Sequence, residues 1–224
     1  MPSASPTGDG APPQPPADGP EARALAGRLK GINLYLVGMM GTGKSAVGRP
    51  LAERLGYTFL DADDTLERAA GRTIPELFAL EGEEGFRRLE TQVLNQIACL
   101  QRLVVATGGG VVTRPENWGH LRQGVVVWLD APTPLLLERL QADPTPRPLL
   151  QAADPAARLA ELVERRTPLY AQADLRVVQD GRGPAAVADQ VLDALPAILR
   201  EQPQAPAQPV RLVDAEGGIT TSLN

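Results

Sequence analysis

Several features that would point to other classes of protein are scarce in this sequence. The 224 residues contain one cysteine, Cys99, and one histidine, His120. An internal disulfide framework and a histidine-based metal cluster are therefore excluded, and a reducing compartment, the cytoplasm, is expected. Cys99 stands within the apolar run 97–100, which predicts a buried small residue rather than a nucleophile.

Positive charge and long hydrophobic runs are also lacking. The formal net charge is −5, which argues against nucleic acid as the main partner. No stretch approaches the roughly 20 apolar residues that cross a bilayer, so no membrane segment is expected. Residues 1–20 contain neither the apolar centre of a secretory signal nor the arginines of a transit peptide.

The two ends of the chain have too few large apolar residues to build a core. Residues 1–30 are predicted to be an N-terminal tail, which is Pro- and Gly-rich and disordered over 1–20. Within this tail, residues 21–30 can form a short helix capped by Gly31. Residues 201–224 are polar and rich in Pro and Gln, which indicates a C-terminal tail.

Strand and helix patterns alternate through the single predicted domain, residues 31–200. Apolar strand patterns lie at 32–37, 57–60, 103–106, 125–129 and 174–178, and helix patterns lie at 44–55, 63–70, 75–81, 83–100, 115–122, 133–141, 155–172 and 184–200. The strands are apolar on both faces, as in a sheet that is covered on both sides. This alternation predicts a three-layer α/β domain with a central five-stranded parallel sheet and helices on both faces.

The stretch GMMGTGKS, residues 38–45, has the spacing G-x4-G-K-S between a predicted strand and a predicted helix. Glycines allow the backbone to wrap around a phosphate with its N–H groups inward, and the helix N-terminus adds a positive dipole end. In such a loop Lys44 can reach the β- and γ-phosphates, and Ser45 can bind Mg²⁺. The loop predicts a nucleoside triphosphate site, but it does not distinguish a kinase from a GTPase or a motor.

Two aspartates, Asp61 and Asp63, stand at the end of the second predicted strand. Ligands of an open parallel sheet bind beyond the carboxyl ends of its strands. On an extended chain two residues that are two apart point the same way. One aspartate can serve the water shell of a metal ion, and the other can accept a hydrogen bond from an attacking alcohol. The alternative is that one of them caps the helix predicted from residue 63.

An arginine on a helix and a glycine triplet add further candidates. Arg87 and Glu90 are three apart in a helical pattern, so they form either an exposed ion pair or a held arginine that grips a carboxylate with two hydrogen bonds. Gly108, Gly109 and Gly110 follow the third predicted strand. A plain turn needs one or two glycines, so three indicate a ligand packed against bare backbone.

Two more arginines lie in segments that have two interpretations. The Pro-rich segment 142–154 is either a linker or a mobile lid that carries Arg147 onto the transferring phosphoryl group. Arg166 lies near the end of the next predicted helix, where it either complements the helix dipole or binds an anion. Combined with the aspartates and glycines, these arginines describe a pocket for a small, polyhydroxylated anion.

These motifs together resemble the shikimate kinase family. GMMGTGKS, the aspartates of DAD, FRRLE, GGGVV, RPLL and ERRTPLY follow the order and approximate spacing of that family over residues 32–195. The phosphate loop is generic, whereas the combination is highly specific. The resemblance implies a P-loop kinase fold. It also implies transfer of the ATP γ-phosphoryl group to the 3-hydroxyl of shikimate, a step of chorismate and aromatic amino acid biosynthesis.

The resemblance further implies roles on the nucleotide side. Ser45 would bind one Mg²⁺ ion per subunit, and Asp61 would contact that ion through water. Lys44 and Arg147, the lid arginine, would be catalytic residues on the phosphates. ATP would be bound by Gly41, Thr42, Gly43, Lys44, Ser45, Ala46, Arg139, Arg147, Arg182 and Pro184.

On the acceptor side, the resemblance implies that Asp63 holds the hydroxyls of shikimate and is the candidate base. Arg87 and Arg166 would clamp the carboxylate. The substrate pocket would be lined by Gly108, Gly109 and Gly110. We expect a monomer whose partners are the small molecules shikimate and ATP.

Two other classes of protein remain as alternatives. A gluconate kinase would share the phosphate loop, but it would not need arginines for a carboxylate. A non-catalytic homologue would be expected to have lost the two aspartates, Lys44 or Arg147, all of which are present. Ala46, where Thr often follows the serine, and Pro50 depart from the common family pattern without removing a proposed chemical group.

Overall fold

A five-stranded sheet forms the centre of the protein. The computed structural model describes residues 19–199, apart from 144 and 146, and the backbone of 211–213 and 219–221. The strands are β1 Leu34–Val37, β2 Thr58–Asp61, β3 Leu103–Ala106, β4 Val125–Asp130 and β5 Leu175–Val178. They are all parallel and lie in the order β2-β3-β1-β4-β5. The predicted parallel sheet is therefore confirmed.

Both faces of the sheet are buried. Successive residues of a strand point to opposite faces. In β1, Leu34 and Leu36 belong to one buried cluster, whereas Tyr35 and Val37 belong to another. This burial on two sides explains why the strands are short apolar runs rather than alternating polar and apolar sequences.

Helices cover each face. They are α1 Gly19–Leu29, α2 Lys44–Leu55, α3 Ala62–Ala70, α4 Ile74–Ala98, α5 Pro115–Leu121, α6 Thr133–Ala142, α7 Pro155–Tyr170 and α8 Pro184–Ile198. Side chains of α1, α2 and α8 join the cluster that contains Leu34, and side chains of α3 to α7 join the cluster that contains Tyr35. The three-layer α/β fold is therefore confirmed.

The long helix α4 agrees with the prediction of two helices at 75–81 and 83–100, because it consists of two helical stretches that meet at a kink. The structure has one element that is interrupted at Gly82, where φ is 65° and ψ is −178°. Glycine adopts such a backbone conformation far more readily than other residues. The interruption changes the direction of the second half of α4, which carries Arg87 and Glu90.

The short helix predicted over residues 21–30 is present as α1, although it begins two residues earlier than predicted. Helix α1 begins at Gly19, inside the segment 1–20 that was expected to be disordered, and it buries Leu25 and Leu29 against the core. The boundary expected at residue 31 therefore excludes a helix that packs on the sheet layer. Residues 1–18 lie outside the described part of the chain.

The prediction of a buried Cys99 was wrong. Cys99 follows the last turn of α4 and is exposed, whereas the apolar run suggested burial. Within the expected C-terminal tail 201–224, two short strands, β6 Arg211–Val213 and β7 Ile219–Thr221, pair in an antiparallel manner. The other residues of that segment lie outside the described part of the chain.

We predict that Leu29→Ala lowers the free energy of unfolding by about 2–5 kcal/mol, because it removes a leucine that is 1 % exposed. The measurement is urea unfolding followed by circular dichroism. Leu80→Ala is the matched control, because Leu80 is 61 % exposed and its replacement should cost less than about 0.5 kcal/mol. If Leu29→Ala lowers the free energy of unfolding as little as this control is expected to, α1 does not contribute to the core.

Candidate active site

The phosphate loop connects β1 to α2 at the carboxyl edge of the sheet. Gly38 has φ 146°, and a Cβ atom there would lie 2.4 Å from the Leu129 carbonyl oxygen. This position therefore requires glycine, because the loop passes directly against the end of β4. Helix α2 begins at Lys44, so its free N–H groups open towards the loop.

The Lys44 ammonium group lies inside this loop. Its Nζ donates hydrogen bonds to the carbonyl oxygens of Gly38 (3.0 Å) and Met39 (3.1 Å). Burial lowers the pKa of Lys44 to about 8, against the opposing effect of Asp63 and Asp61. Phosphate oxygens would replace the carbonyl partners and favour the charged form.

Asp61 serves two purposes, because its two carboxylate oxygens have different partners. Oδ1 caps α3 by accepting a hydrogen bond from the Asp63 backbone N–H at 3.0 Å. Oδ2 accepts a hydrogen bond from Ser45 Oγ at 2.5 Å. The helix-cap interpretation and the site interpretation therefore do not exclude each other. The expectation of an extended chain through both aspartates was wrong, since the chain becomes helical at Ala62.

Asp63 lies in the first turn of α3 and faces two adjoining cavities. Burial raises its pKa to about 6, and the nearby carboxylates of Glu90 and Asp61 add to this shift. Lys44 and Arg87 act in the opposite direction. A carboxylate with this pKa is suited to accept a proton near neutral pH.

Arg87 and Glu90 form a buried pair. Arg87 Nη1 lies 2.8 Å from Glu90 Oε2, and each residue is 5 % exposed. The interpretation as an exposed surface ion pair was therefore wrong. Two desolvated charges are a poor source of stability in themselves, so the pairing favours a functional role.

The glycine triplet lies against this ion pair. A Cβ atom on Gly108 would lie 2.3 Å from Glu90 Oε1, and one on Gly110 would lie 2.2 Å from the Arg87 guanidinium. From the sequence, the glycines were predicted to leave space for a ligand against the backbone. In the structure, the side chains of Glu90 and Arg87 occupy part of that space. The three glycines nevertheless line the same cavity as Arg87.

Two side chains of α7, those of Arg166 and Tyr170, bond to Gly109, the central residue of the glycine triplet. Arg166 Nη1 and the Tyr170 hydroxyl both donate to the Gly109 carbonyl oxygen, at 3.2 Å and 2.5 Å. Burial raises the pKa of Tyr170 to about 12, which keeps its hydroxyl a donor. Arg166 is not in the last turn of α7, which disfavours the interpretation that it complements the helix dipole. No role was predicted for Tyr170 from the sequence.

Arg147 lies at the boundary of the two cavities. Its Nη2 lies 2.7 Å from Asp143 Oδ2, and its Nε is buried without a hydrogen-bond partner among the described residues. It lines the cavity of the phosphate loop and the cavity of the glycine triplet. This placement suits a side chain that contacts two substrates.

Of the other residues predicted to bind the nucleotide, Arg139 lies at the phosphate-loop cavity, whereas Arg182 and Pro184 do not. Arg139 lines the phosphate-loop cavity and donates to the Gly41 carbonyl oxygen at 3.2 Å. Arg182 is exposed and pairs with Asp180, and neither Arg182 nor Pro184 lines that cavity. Gln179, for which no role was predicted from the sequence, is buried beside Arg139. No local signal distinguishes Gln179, because Asp180 and Arg182 follow it in the same polar segment.

The two cavities meet at four shared residues. One contains the phosphate loop with Lys44 and Ser45, and the other contains Arg87 and Arg166. The shared residues are Met40, Asp63, Gly109 and Arg147. A nucleotide phosphate in the first cavity would therefore face an acceptor in the second across Asp63 and Arg147.

Two features are absent from the described residues. No group of three or more His, Cys, Asp or Glu side chains there is arranged to hold a metal ion. None of the helices in this part of the chain has both the length and the apolar character that a membrane crossing requires.

A phosphate loop that faces a carboxylate and a second, arginine-lined cavity defines a phosphate-loop kinase of small molecules. The shikimate kinase family model matches residues 40–196. A shikimate kinase of Synechococcus sp. (strain RCC307) is 58 % identical over 179 residues, which cover 80 % of this chain and 92 % of the relative. The chain belongs to the shikimate kinase family, the enzymes that phosphorylate shikimate with ATP.

Other relatives and solved structures agree with this assignment. A shikimate kinase of Nostoc punctiforme is 50 % identical over 179 residues, which cover 80 % of this chain and 98 % of the relative. The structure of the Acinetobacter baumannii shikimate kinase in complex with shikimate has a TM-score of 0.73 at 42 % identity, covering 77 % of this chain and 97 % of that chain. The shikimate kinase of Aquifex aeolicus has a TM-score of 0.65 at 34 % identity, covering 74 % and 97 %.

Proposed function

We propose that this protein transfers the γ-phosphoryl group of ATP to the 3-hydroxyl of shikimate, producing shikimate 3-phosphate and ADP for chorismate and aromatic amino acid biosynthesis. The observation that carries this proposal is the meeting of the two cavities at Asp63 and Arg147. In the reaction the acceptor oxygen forms a bond to phosphorus while the bond to the β–γ bridging oxygen breaks.

On the acceptor side, Asp63 orients the hydroxyl and takes up its proton. Arg87 and Arg166 bind the shikimate carboxylate, because both are buried guanidinium groups that line or border the same cavity. Gly109 and Gly110 bring backbone close to the ring, with Gly108 beside Asp63.

On the donor side, Lys44 and Arg147 neutralise charge on the transferring phosphoryl group. The phosphates lie against residues 41–46, whose glycines and helix N-terminus present N–H groups. Arg139 contacts the nucleotide from α6. Arg182 and Pro184 complete the adenine-binding site when ATP is bound. Segment 142–154 acts as a lid that closes with Arg147.

We also propose that one Mg²⁺ ion acts with ATP. The Ser45 hydroxyl and the Asp61 carboxylate are two oxygen groups 2.5 Å apart beside the phosphate loop. This set fits Mg²⁺, which keeps several waters and takes few protein ligands besides substrate phosphates. Ser45 would bind the ion directly and Asp61 would hold one of its waters. The ion would supply charge neutralisation on the β- and γ-phosphate oxygens.

For its cellular setting, we propose a cytoplasmic monomer with shikimate and ATP as partners, and with no nucleic acid or membrane partner. The net charge of −5 and the single cysteine support this proposal.

The decisive experiment is a coupled assay of ADP release by the purified protein with and without shikimate. Mass spectrometry of the product should detect the phosphate ester, and gluconate in place of shikimate should give background release only. The proposal fails if shikimate produces no ADP above background, or if gluconate is phosphorylated at a comparable rate.

We predict that metal-free ATP binds more weakly as the pH rises through about 8, the pKa of Lys44 in the free protein. Bound phosphates favour the ammonium form, so binding raises the pKa of Lys44, and the affinity gained from this charge is lost above the free-state pKa. Calorimetry at pH 8 in two buffers of different ionisation enthalpy should detect proton uptake on binding. Lys44→Arg keeps the charge at all these pH values and should abolish the uptake, whereas uptake by that variant would contradict the prediction.

A further inference from the structure

The side chain of Gln179 is a buried polar group that none of the proposed roles uses. It follows β5 and is 2 % exposed. Its backbone N–H donates to the Asp130 carbonyl oxygen at 2.7 Å, so the start of this loop is anchored to the end of β4. A buried amide requires hydrogen-bond partners, and both partners of Gln179 belong to the nucleotide side of the site.

The amide connects two different elements. Gln179 Nε2 donates to the Thr42 carbonyl oxygen at 2.6 Å, in the phosphate loop. Gln179 Oε1 accepts from Arg139 Nη1 at 2.9 Å, on α6. The glutamine amide offers a donor and an acceptor together. Glutamate would place an oxygen against the Thr42 carbonyl oxygen, and methionine would leave both partners without their bond.

Arg139 also bonds directly to the phosphate loop. Its Nη1 also donates to the Gly41 carbonyl oxygen at 3.2 Å, and the side chain lines the phosphate-loop cavity. Two consecutive loop carbonyls, those of Gly41 and Thr42, are therefore held on the side of Arg139 and Gln179. Thr42 is itself fixed, because its hydroxyl donates to the Met39 carbonyl oxygen at 2.8 Å.

We infer that Gln179 is a positioning residue for the nucleotide. It holds the Arg139 guanidinium against the phosphate loop and, together with Arg139, fixes the carbonyl oxygens of Gly41 and Thr42. The inference rests on the proposed contact of Arg139 with ATP. Fixing these groups before ATP arrives lowers the entropic cost of binding, so Gln179 acts on nucleotide affinity and not on the chemical step.

The test is Gln179→Met, which is close in size and has neither a strong donor nor a strong acceptor. We expect KM for ATP and Kd for ADP to rise about tenfold, the effect of losing a buried hydrogen-bond pair. The kcat and the KM for shikimate should change much less, since only binding on the nucleotide side is affected. Gln172→Met is the matched control, because it removes a glutamine–arginine hydrogen bond, to Arg122 Nη2 at 3.2 Å, outside the site.

A second variant keeps the inference testable if Gln179→Met does not fold. Gln179→Glu retains a partner for Arg139 but opposes the Thr42 carbonyl, so it should also raise KM for ATP. Equal increases of both KM values, or a lowered melting temperature with unchanged KM for ATP, would show a merely structural role and overturn the inference.

A double-mutant cycle with Arg139→Met separates this inference from the proposed role of Arg139. Arg139→Met should raise KM for ATP, and the double variant should be little worse than Arg139→Met alone, because the two residues act together. If Arg139→Met has no effect on KM for ATP, the proposed role of Arg139 fails. If Arg139→Met has an effect and Gln179→Met has none, the inference about Gln179 fails alone.

Discussion

Asp63→Asn is expected to lower kcat by about 100-fold or more while leaving the affinity for ADP nearly unchanged. The substitution keeps the size of the side chain, but the amide cannot take up a proton from the acceptor hydroxyl. Nucleotide affinity should persist because Lys44, Ser45 and the loop N–H groups are untouched. The measurements are kcat from coupled ADP release and Kd for ADP from calorimetry.

The control for this substitution is Asp64→Asn. Asp64 is the next residue on α3 and is exposed, so its neutralisation tests the effect of a lost charge without a lost catalytic group. A parallel loss of ADP affinity in Asp63→Asn would assign Asp63 to the nucleotide instead of the acceptor. The pKa of about 6 also predicts that wild-type turnover falls as the pH drops through 6, because protonated Asp63 cannot accept a proton.

Arg87→Lys is expected to raise KM for shikimate by about 10- to 100-fold, with a smaller effect on kcat, as for the loss of a charge-assisted hydrogen bond. Lysine keeps a positive charge beside Glu90, but it cannot form the two parallel bonds by which a guanidinium grips a carboxylate. The expected selectivity follows from the position of Arg87 in the second cavity and not in the phosphate-loop cavity.

Two comparisons make the Arg87 experiment specific. Arg88→Lys is the control, because Arg88 is the neighbouring arginine on α4 and is exposed. Arg87→Ala should in addition lower the melting temperature, because it leaves the Glu90 charge buried without its partner, which typically costs about 3–5 kcal/mol. An unchanged KM for shikimate in Arg87→Lys would limit Arg87 to a structural pair with Glu90.

Most of the fold was predictable because its signals are local. The observed β3 and α2 coincide with the predicted residues 103–106 and 44–55. Strand β1 begins two residues later than predicted, and the side chain of Asn33, just before it, bonds to the Leu100 carbonyl oxygen and the Leu103 N–H. These bonds reach a segment almost 70 residues away, so nothing in the local pattern predicts them.

The errors lie where packing decides between two locally equal outcomes. Cys99 ends an apolar run, yet it is exposed, whereas Ile97 two residues earlier is buried. Leu25 and Leu29 have helical spacing, but they are buried only because side chains of α2 and α8 pack against them. Arg87 and Glu90 would be three residues apart on an exposed helix or on a buried one, so their spacing alone could not show that the ion pair is buried.

The candidate site divides in the same way. Residues 38–45 predicted a phosphate grip without tertiary information, because the glycines, Lys44 and the helix start are consecutive and act as one unit. The acceptor side needed the folded chain, since Asp63, Arg87, Gly109 and Arg166 come from four separate segments that meet only at the sheet edge. Gln179 could be recognised only in three dimensions, because its meaning lies in its bonds to Thr42 and Arg139, which are 137 and 40 residues away in the chain.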